Sequence, residues 1–237
     1  MLLNASKIKI NGVLTDDKGV YPKGRYEVPT AEEDIEFIEI KGRDGELTKK
    51  YGYKNIPFPV TFYIKDELFK PAFRKAKPFI LGAKTIQVDD DDEVFYKVKS
   101  VKINPAENTM RTFGEFEVEF ILDPYMYEIK NDPITLTNRR TIYNDGHKTL
   151  PIITAQVSGT GKIYINDQEI TIKNVNGSIT IDGMMQNAYR KSPTGLIAEN
   201  MNNHMIGHFP VLQHGDNVID FDGDISELEV ILNKRWR

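Results

Sequence analysis

Alternation of apolar and charged residues with a period of two most constrains what this chain can fold into. Between Glu115 and Leu122 the even-numbered residues are apolar, and the residues between them are mostly glutamates. Successive side chains of a β-strand point to opposite faces, so this segment is predicted to be a half-buried strand. The same pattern recurs at Ile170–Lys173 and Glu227–Leu232. The chain is therefore predicted to be mainly β.

Asn-Gly and Asp-Gly pairs punctuate these segments. Both residues of such a pair tolerate the positive φ angles of the tight turns that join antiparallel strands. The pairs therefore favour hairpins and predict antiparallel sheets. They are Asn11-Gly12, Asp44-Gly45, Asp145-Gly146, Asn176-Gly177, Asp182-Gly183 and Asp222-Gly223.

One segment favours a helix instead. Leu68, Phe69, Ala72, Phe73 and Ala76 would share one helical face, and Asp66 could cap its start. Pro71 and Pro78 each remove a backbone donor and disfavour helix in the residue before them. The sequence therefore predicts one short helix near residues 71–77.

Two strands are predicted after this helix, Lys84–Val88 and Val94–Ile103, joined through five consecutive carboxylates at Asp89–Glu93. Clustered carboxylates can bind calcium. An EF-hand loop, however, needs alternating oxygen ligands with a glycine at the sharp turn, and this segment has neither. A solvated hairpin tip is the prediction.

A change of pattern between Tyr127 and Thr141 predicts a domain boundary. An alternating strand ends at Asp123-Pro124, polar sequence follows, and β patterning resumes after Asp145-Gly146. We therefore assign residues 1–130 to an N-terminal β domain and residues 131–237 to a C-terminal one. Short strands separated by turns are typical of a β-sandwich, and the predicted turns of this second domain contain Gly159, Gly161, Asn166 and Gly177.

Composition excludes several classes of function. A formal charge of −4 argues against a nucleic-acid-binding surface, which needs a surplus of Lys and Arg on one face. The sequence has no apolar run of transmembrane length and no signal-peptide pattern. We therefore expect that the protein is made in the cytoplasm and does not insert into a membrane. The chain has no cysteine, which excludes disulfides and thiolate chemistry.

Patterns for catalysis and metal binding are incomplete. Gly159–Lys162 lacks the spacing of a phosphate-binding loop and is predicted to be a turn between strands. His204 and His208 have the spacing of zinc ligands on a helix, but their neighbours disfavour helix and no HExxH motif is present. Alternating glutamates on a solvated face have little reason for raised pKa values, as a glycosidase acid needs. We expect no enzyme activity, cofactor or metal.

Trp236 allows two interpretations. It could be an exposed platform on which a sugar ring stacks, with Tyr143, Tyr164 and Tyr189 nearby in the same half of the chain. Alternatively, it continues the face of Leu228, Val230 and Leu232 at two-residue steps and packs inward at the edge of the sandwich. The register favours inward packing.

Three segments carry a resemblance to a known family. Asp123-Pro124-Tyr125-Met126-Tyr127 closes the first half, Phe209-Pro210-x-Leu212-x-x-Gly215-x-Asn217 lies late in the second, and the chain ends in Arg235-Trp236-Arg237. In this order the chain resembles the distal tail proteins (Dit) of siphophages and prophages of Gram-positive bacteria. The resemblance spans essentially the whole chain.

The resemblance implies two β-sandwich-like domains. The N-terminal domain, with a short helix, would form a homo-hexameric ring, and the C-terminal domain would be galectin-like. Such a ring is a baseplate adaptor in the virion, joining the tail tube protein to tail-associated and receptor-binding proteins, with a central channel for DNA. Six copies at −4 each would carry −24, which would limit sticking of DNA phosphates. The alternatives are a stand-alone carbohydrate-binding module for bacterial surface glycans and a glycan hydrolase.

Overall fold

The computed structural model describes residues 7–88 and 91–237, and within it the chain divides into two compact units. The first unit ends at Ile129, and the second runs from Lys130 to Trp236. Antiparallel strands dominate both units, and the described residues form one α-helix. The predicted class, mainly β with one helix, is confirmed.

The described residues of the first unit form ten strands, one α-helix and a short 3-10 helix at Asp16–Lys18. Its elements are β1 (Ile8–Ile10), β2 (Val13–Leu14), β3 (Tyr21–Pro22), β4 (Glu33–Ile38), β5 (Leu47–Tyr53), β6 (Ile56–Lys65), α1 (Phe69–Leu81), β7 (Thr85–Val88), β8 (Val94–Ile103), β9 (Glu107–Met110) and β10 (Phe113–Glu128).

Strand β10 organises the main sheet of this unit. The strand order is β2-β1-β7-β8-β10-β6-β3, with β9 also paired to β10, and β4 and β5 form a separate hairpin. Alternate residues of β6 and β10 are fully buried, among them Val60, Phe62, Val118 and Phe120. The glutamates that alternate with the buried residues of β10 face outward, as the sequence pattern predicts. Among them, the Glu115 carboxylate forms an ion pair with the Lys23 ammonium at 2.7 Å.

Helix α1 is longer than predicted. Pro71 is its third residue, where a backbone donor has no partner inside the helix anyway. Pro78 lies within the helix and does not end it, because Ala76 and Ile80 on either side are buried in the core. Asp66 is not the cap; it accepts a hydrogen bond from the amide of Glu67 instead.

Packing against β10 fixes the position of α1. Gly114 of β10 lies under the ring of Phe69, and a Cβ there would come within 2.5 Å of the Phe69 ring. A side chain at residue 114 would therefore displace the start of the helix.

Among the described residues, helix α1 is too short and too polar to be a membrane span, and no other α-helix is present.

The two strands predicted after the helix are confirmed within one residue, as β7 and β8. They pair antiparallel, with Thr85 opposite Lys97 and Ile86 opposite Tyr96. Of the carboxylate-rich turn between them, Asp89 and Asp90 lie outside the described residues.

The second unit contains nine strands and a short 3-10 helix at Asn202–His204. The strands are β11 (Ile134–Leu136), β12 (Arg140–Asn144), β13 (Ile152–Ile165), β14 (Gln168–Asp182), β15 (Asn187–Lys191), β16 (Ile197–Asn200), β17 (Met205–Gly207), β18 (Gly215–Ile231) and β19 (Arg235–Trp236).

The sheet of the second unit curls around its own core. The order is β11-β18-β13-β14-β15-β16, while β12 also pairs with β18 and β17 with β14. Buried isoleucines from β13 and β14 meet Leu228 and Val230 of β18 in this core. The predicted inward face of β18 is therefore correct as far as Leu232.

Long strands replace the short ones predicted for residues 152–181. Strands β13 and β14 have 14 and 15 residues, and Asn166 and Asp167 form the turn between them. The interpretation of Gly159–Lys162 as a turn between strands is wrong, because the segment lies inside β13 as a bulge facing β18. The amide of Thr160 donates to Asp224 there at 2.9 Å.

The Asn-Gly and Asp-Gly pairs divide into three groups. Asn11-Gly12, Asp44-Gly45 and Asp182-Gly183 lie in hairpin connections, as predicted, whereas Asp145-Gly146 follows β12 without forming a hairpin. The hairpin prediction is wrong for the other two, Asn176-Gly177 and Asp222-Gly223, which lie inside β14 and β18. Gly223 has φ 73°, and a Cβ there would clash with the backbone of β13. Glycine at this position therefore allows the bulge between the two strands.

We predict that trypsin cuts first between β10 and β12, the stretch in which the first unit ends and the second begins. Lys130 and Arg139 are exposed and lie outside every strand, so this backbone can adapt to a protease. Gel electrophoresis and mass spectrometry should show two resistant fragments. Replacing Lys130, Arg139 and Arg140 by glutamine should abolish these cuts, and first cleavage within residues 85–103 would contradict the prediction.

Candidate functional site

The first sequence motif, Asp123–Tyr127, forms a wide bulge in β10. Pairing with β8 stops at Leu122 opposite Val98 and resumes at Met126 opposite Tyr96. Three residues of β10 therefore face one residue of β8. Pro124 has no N–H to give to the ladder, which favours an irregularity at this point. The prediction that the strand ends at Asp123-Pro124 is wrong, because β10 continues to Glu128.

Side chains of the motif lock the bulge. The Tyr127 hydroxyl donates to one carboxylate oxygen of Asp123, and the Lys99 ammonium lies 2.8 Å from the other. The Lys97 ammonium lies 3.8 Å above the centre of the Tyr127 ring. Asp123 has only 13% of its side chain exposed, so both its oxygens serve the bulge. These contacts therefore stabilise the conformation of the bulge.

Tyr125 connects the bulge to the β4–β5 hairpin. Its ring packs edge-to-face on Tyr53, the last residue of β5, with centroids 5.9 Å apart. It also meets the ring of Tyr127 at 6.4 Å. Met126 packs against the core of the unit. The motif therefore positions the base of the hairpin.

The hairpin itself was predicted only as a turn at Asp44-Gly45, and its surface was not anticipated. Phe37, Ile38 and Leu47 are exposed by 61%, 39% and 42%. Among the described residues, β4 and β5 pair only with each other. Apolar residues at positions 35, 37, 38 and 40 were the available signal, but a sequence pattern does not show that both faces stay uncovered.

The second motif closes a loop over the core of the second unit. Leu212 is fully buried and exchanges two backbone hydrogen bonds with Thr149, at 2.9 and 3.0 Å. Phe209 is half-buried against the core, and Pro210 is buried. Gly215, with φ 91°, turns the chain into β18. The structure thus brings these four residues together.

Asn217 fastens this loop. Its side chain is fully buried, and its amide group donates to the carbonyl oxygens of Gln213 and Gly215, both at 2.9 Å. Its side-chain oxygen accepts from the amide of Gln213 at 2.8 Å and from Asn166 Nδ2 at 2.9 Å. All four hydrogen-bonding positions of the side chain are filled.

Other amides that were not predicted from the sequence complete the same loop. Asn144, also fully buried, donates to the carbonyl oxygens of His147 and Gln213, both at 3.0 Å. Gln168 donates to the carbonyl of Val211 at 2.8 Å and accepts from its amide at 3.1 Å. Asn and Gln residues at the ends of strands were the sequence signal that could have indicated these hydrogen bonds.

The terminal segment is tied down by polar contacts. Asn233 Nδ2 donates to the carbonyl of Leu150 at 3.0 Å, and Arg235 Nε donates to that of Lys148 at 2.8 Å. The Lys234 ammonium, 2.9 Å from Asp145, holds the pKa of that carboxyl below its usual range. Arg237 is exposed.

The register predicted for Trp236 is wrong. Strand β18 ends at Ile231, and Asn233 has φ 51°, so the alternation of Leu228, Val230 and Leu232 does not reach residue 236. Trp236 lies in the separate short strand β19 and is half-buried. The possible stacking partners are not equivalent either, because Tyr189 is buried whereas Tyr143 is exposed.

We predict that Asn217→Ala lowers the free energy of unfolding of the second unit by about 2–4 kcal/mol, because it removes the fully buried side chain and leaves the part-buried amide of Gln213 and carbonyl of Gly215 without their Asn217 partner. Urea unfolding followed by the fluorescence of Trp236, the single tryptophan, measures this. Asn176→Ala is the matched control: this exposed side chain should change stability by no more than about 0.5 kcal/mol. Equal effects of the two substitutions would contradict the assigned role.

Comparison with known proteins gives matches in structure only. Neither family models nor curated protein sequences match the chain. The crystal structure of the SPP1 Dit (gp 19.1) protein, described as a paradigm of the hub adsorption apparatus in Gram-positive infecting phages, matches with a TM-score of 0.69 and 12% identity. That match covers 99% of this chain and 100% of the SPP1 protein.

A second match is a chain in the structure of the phage P2 baseplate in its activated conformation with Ca, with a TM-score of 0.51 and 10% identity. That match covers 98% of this chain and 97% of the P2 chain. At these identities the similarity is one of fold, over nearly the full length of both chains. The chain has the fold of the phage distal tail protein Dit.

Proposed function

We propose that this chain is a structural subunit of a phage tail tip: a homo-hexameric hub that joins the tail tube protein to tail-associated and receptor-binding proteins. The observation that carries the proposal is the end-to-end fold match to the SPP1 hub protein. Both units are included in that match, so the similarity extends beyond one common β domain.

We assign ring formation to the N-terminal domain, residues 1–130, and propose that residues 131–237 are a galectin-like domain. The uncovered apolar side chains of the β4–β5 hairpin support a protein contact in the first domain. Each contact between subunits should bury more than about 1,000 Å², the scale of a specific interface.

The ring would pass DNA through a central channel without binding it specifically. A formal charge of −4 on each copy gives −24 on six copies, and such a balance disfavours tight binding of phosphates. We propose that the protein is made in the host cytoplasm and resides in the virion, and that it assembles rather than catalyses.

We predict that the purified full-length protein has six times the mass of its 27.1 kDa chain. Light scattering on a sizing column and native mass spectrometry measure this, and negative-stain microscopy should show sixfold rings. Adding the tail tube protein as a template provides the second condition. A chain that stays monomeric in both conditions and is retained on cell-wall glycans would contradict the hub and support the carbohydrate-binding module.

A further inference from the structure

The β4–β5 hairpin carries apolar side chains on both of its faces. Opposite residues of a hairpin share a face, so Ile38 and Leu47 lie on one face and Phe37 lies on the other. All three are exposed. A two-stranded hairpin without a packed face is marginally stable in water. A second surface is therefore needed to cover this one.

The first strand of the hairpin is acidic. Five carboxylates and no Lys or Arg lie between residues 32 and 39. Lys50 donates to Glu33 at 2.8 Å and lowers the pKa of that carboxyl, but Asp34 and Glu39 have no ion-pair partner in the part of the chain that the structure describes. The whole hairpin, residues 32–53, carries seven carboxylates against four Lys and Arg. The surface that covers the hairpin should therefore be basic as well as apolar.

Helix α1 presents such a surface. It contains no acidic residue, and its cations Lys70, Arg74, Lys75 and Lys77 make no ion pair among the described residues. Lys70, Arg74, Lys77 and Leu81 recur at helical spacing and are exposed, Leu81 by 53%. The helix therefore has a basic stripe that ends in an apolar residue.

An open groove of about 430 Å³ runs beside the end of this stripe. Its walls include Phe73, Leu81, Ile103 and Pro105, with Lys77 at the side, where its ammonium lies 4.6 Å from the centre of the Phe73 ring. An apolar groove flanked by a cation suits an aromatic side chain with a carboxylate on the same side of the chain. Phe37 is followed two residues later by Glu39, whereas Glu36 alternates to the opposite face of the hairpin.

We propose that the β4–β5 hairpin of one copy packs on helix α1 and the adjoining groove of the next copy, with Phe37 in the groove and Glu39 facing Lys77. This inference rests on the proposed ring and names its contact. The hairpin and the helix are different surfaces of one chain, so each copy uses both, and such a heterologous contact gives a ring when its rotation closes after six copies.

A paired-cysteine experiment tests the contact directly, because the natural chain has no cysteine. In the double variant Phe37→Cys with Leu81→Cys, an added thiol oxidant should give a covalent ladder that reaches six chains. Disulfides form only when the Cα atoms lie within about 7 Å, so the ladder reports a specific contact. Mixing the two single variants should give covalent dimers and nothing larger.

The pair Phe37→Cys with Leu196→Cys is the matched control, since Leu196 is more exposed to reagent than Leu81, at 72% against 53%, but lies in the second unit. It should give no ladder. Cross-linking of Phe37→Cys alone to itself would show that hairpins pair with hairpins and would overturn the proposal.

Charge reversal provides the second test. Lys77→Glu should weaken assembly at least about 10-fold, as should Glu39→Lys, because each places like charges together. Combining the two reversals should restore assembly. A natural hexamer that shows no ladder and no response to the reversals overturns the hairpin–helix contact and leaves the ring; a chain that never assembles overturns the ring itself.

Discussion

The bulge in β10 is the constraint on which the first unit depends. Three residues of β10 face one residue of β8, so the strand bends where it leaves its partner β6 at Leu122. Asp123 stabilises the bend through its contacts with Tyr127 and Lys99. Tyr125 packs on Tyr53 and so links the bend to the base of the hairpin. A bulge inside the central strand thereby sets the position of a hairpin that the sheet does not pair with.

Buried amides have the corresponding role in the second unit. The loop before β18 has an irregular backbone that lies over an apolar core, where each unpaired polar group would cost about 1–3 kcal/mol. Asn144 and Asn217 meet that demand by bonding the same carbonyl of Gln213 from two sides. Such a loop depends on amides at a few positions and on apolar volume elsewhere.

Sequence reasoning succeeded where one physical rule dominates. Alternation located β7, β8 and the buried faces of β10 and β18, because a strand with one covered face admits a single register. It failed where a residue has two uses: Gly161 and Gly223 allow close approach at a bulge instead of a turn, and Pro78 is tolerated by a helix that the core holds in place. The hydrogen bond between Asn166 and Asn217 joins residues 51 positions apart, which no local pattern encodes.

Amide hydrogen exchange in the dilute and the assembled protein most directly tests the central claim, that a rigid curled sheet carries a hairpin completed only by a neighbouring copy. In the dilute chain, residues 116–122 should exchange slowly and residues 33–53 rapidly. On assembly, residues 33–53 and 69–81 should become protected, while residues 209–217 stay unchanged. A hairpin that is equally protected in the dilute chain, or that gains no protection on assembly, would contradict the account.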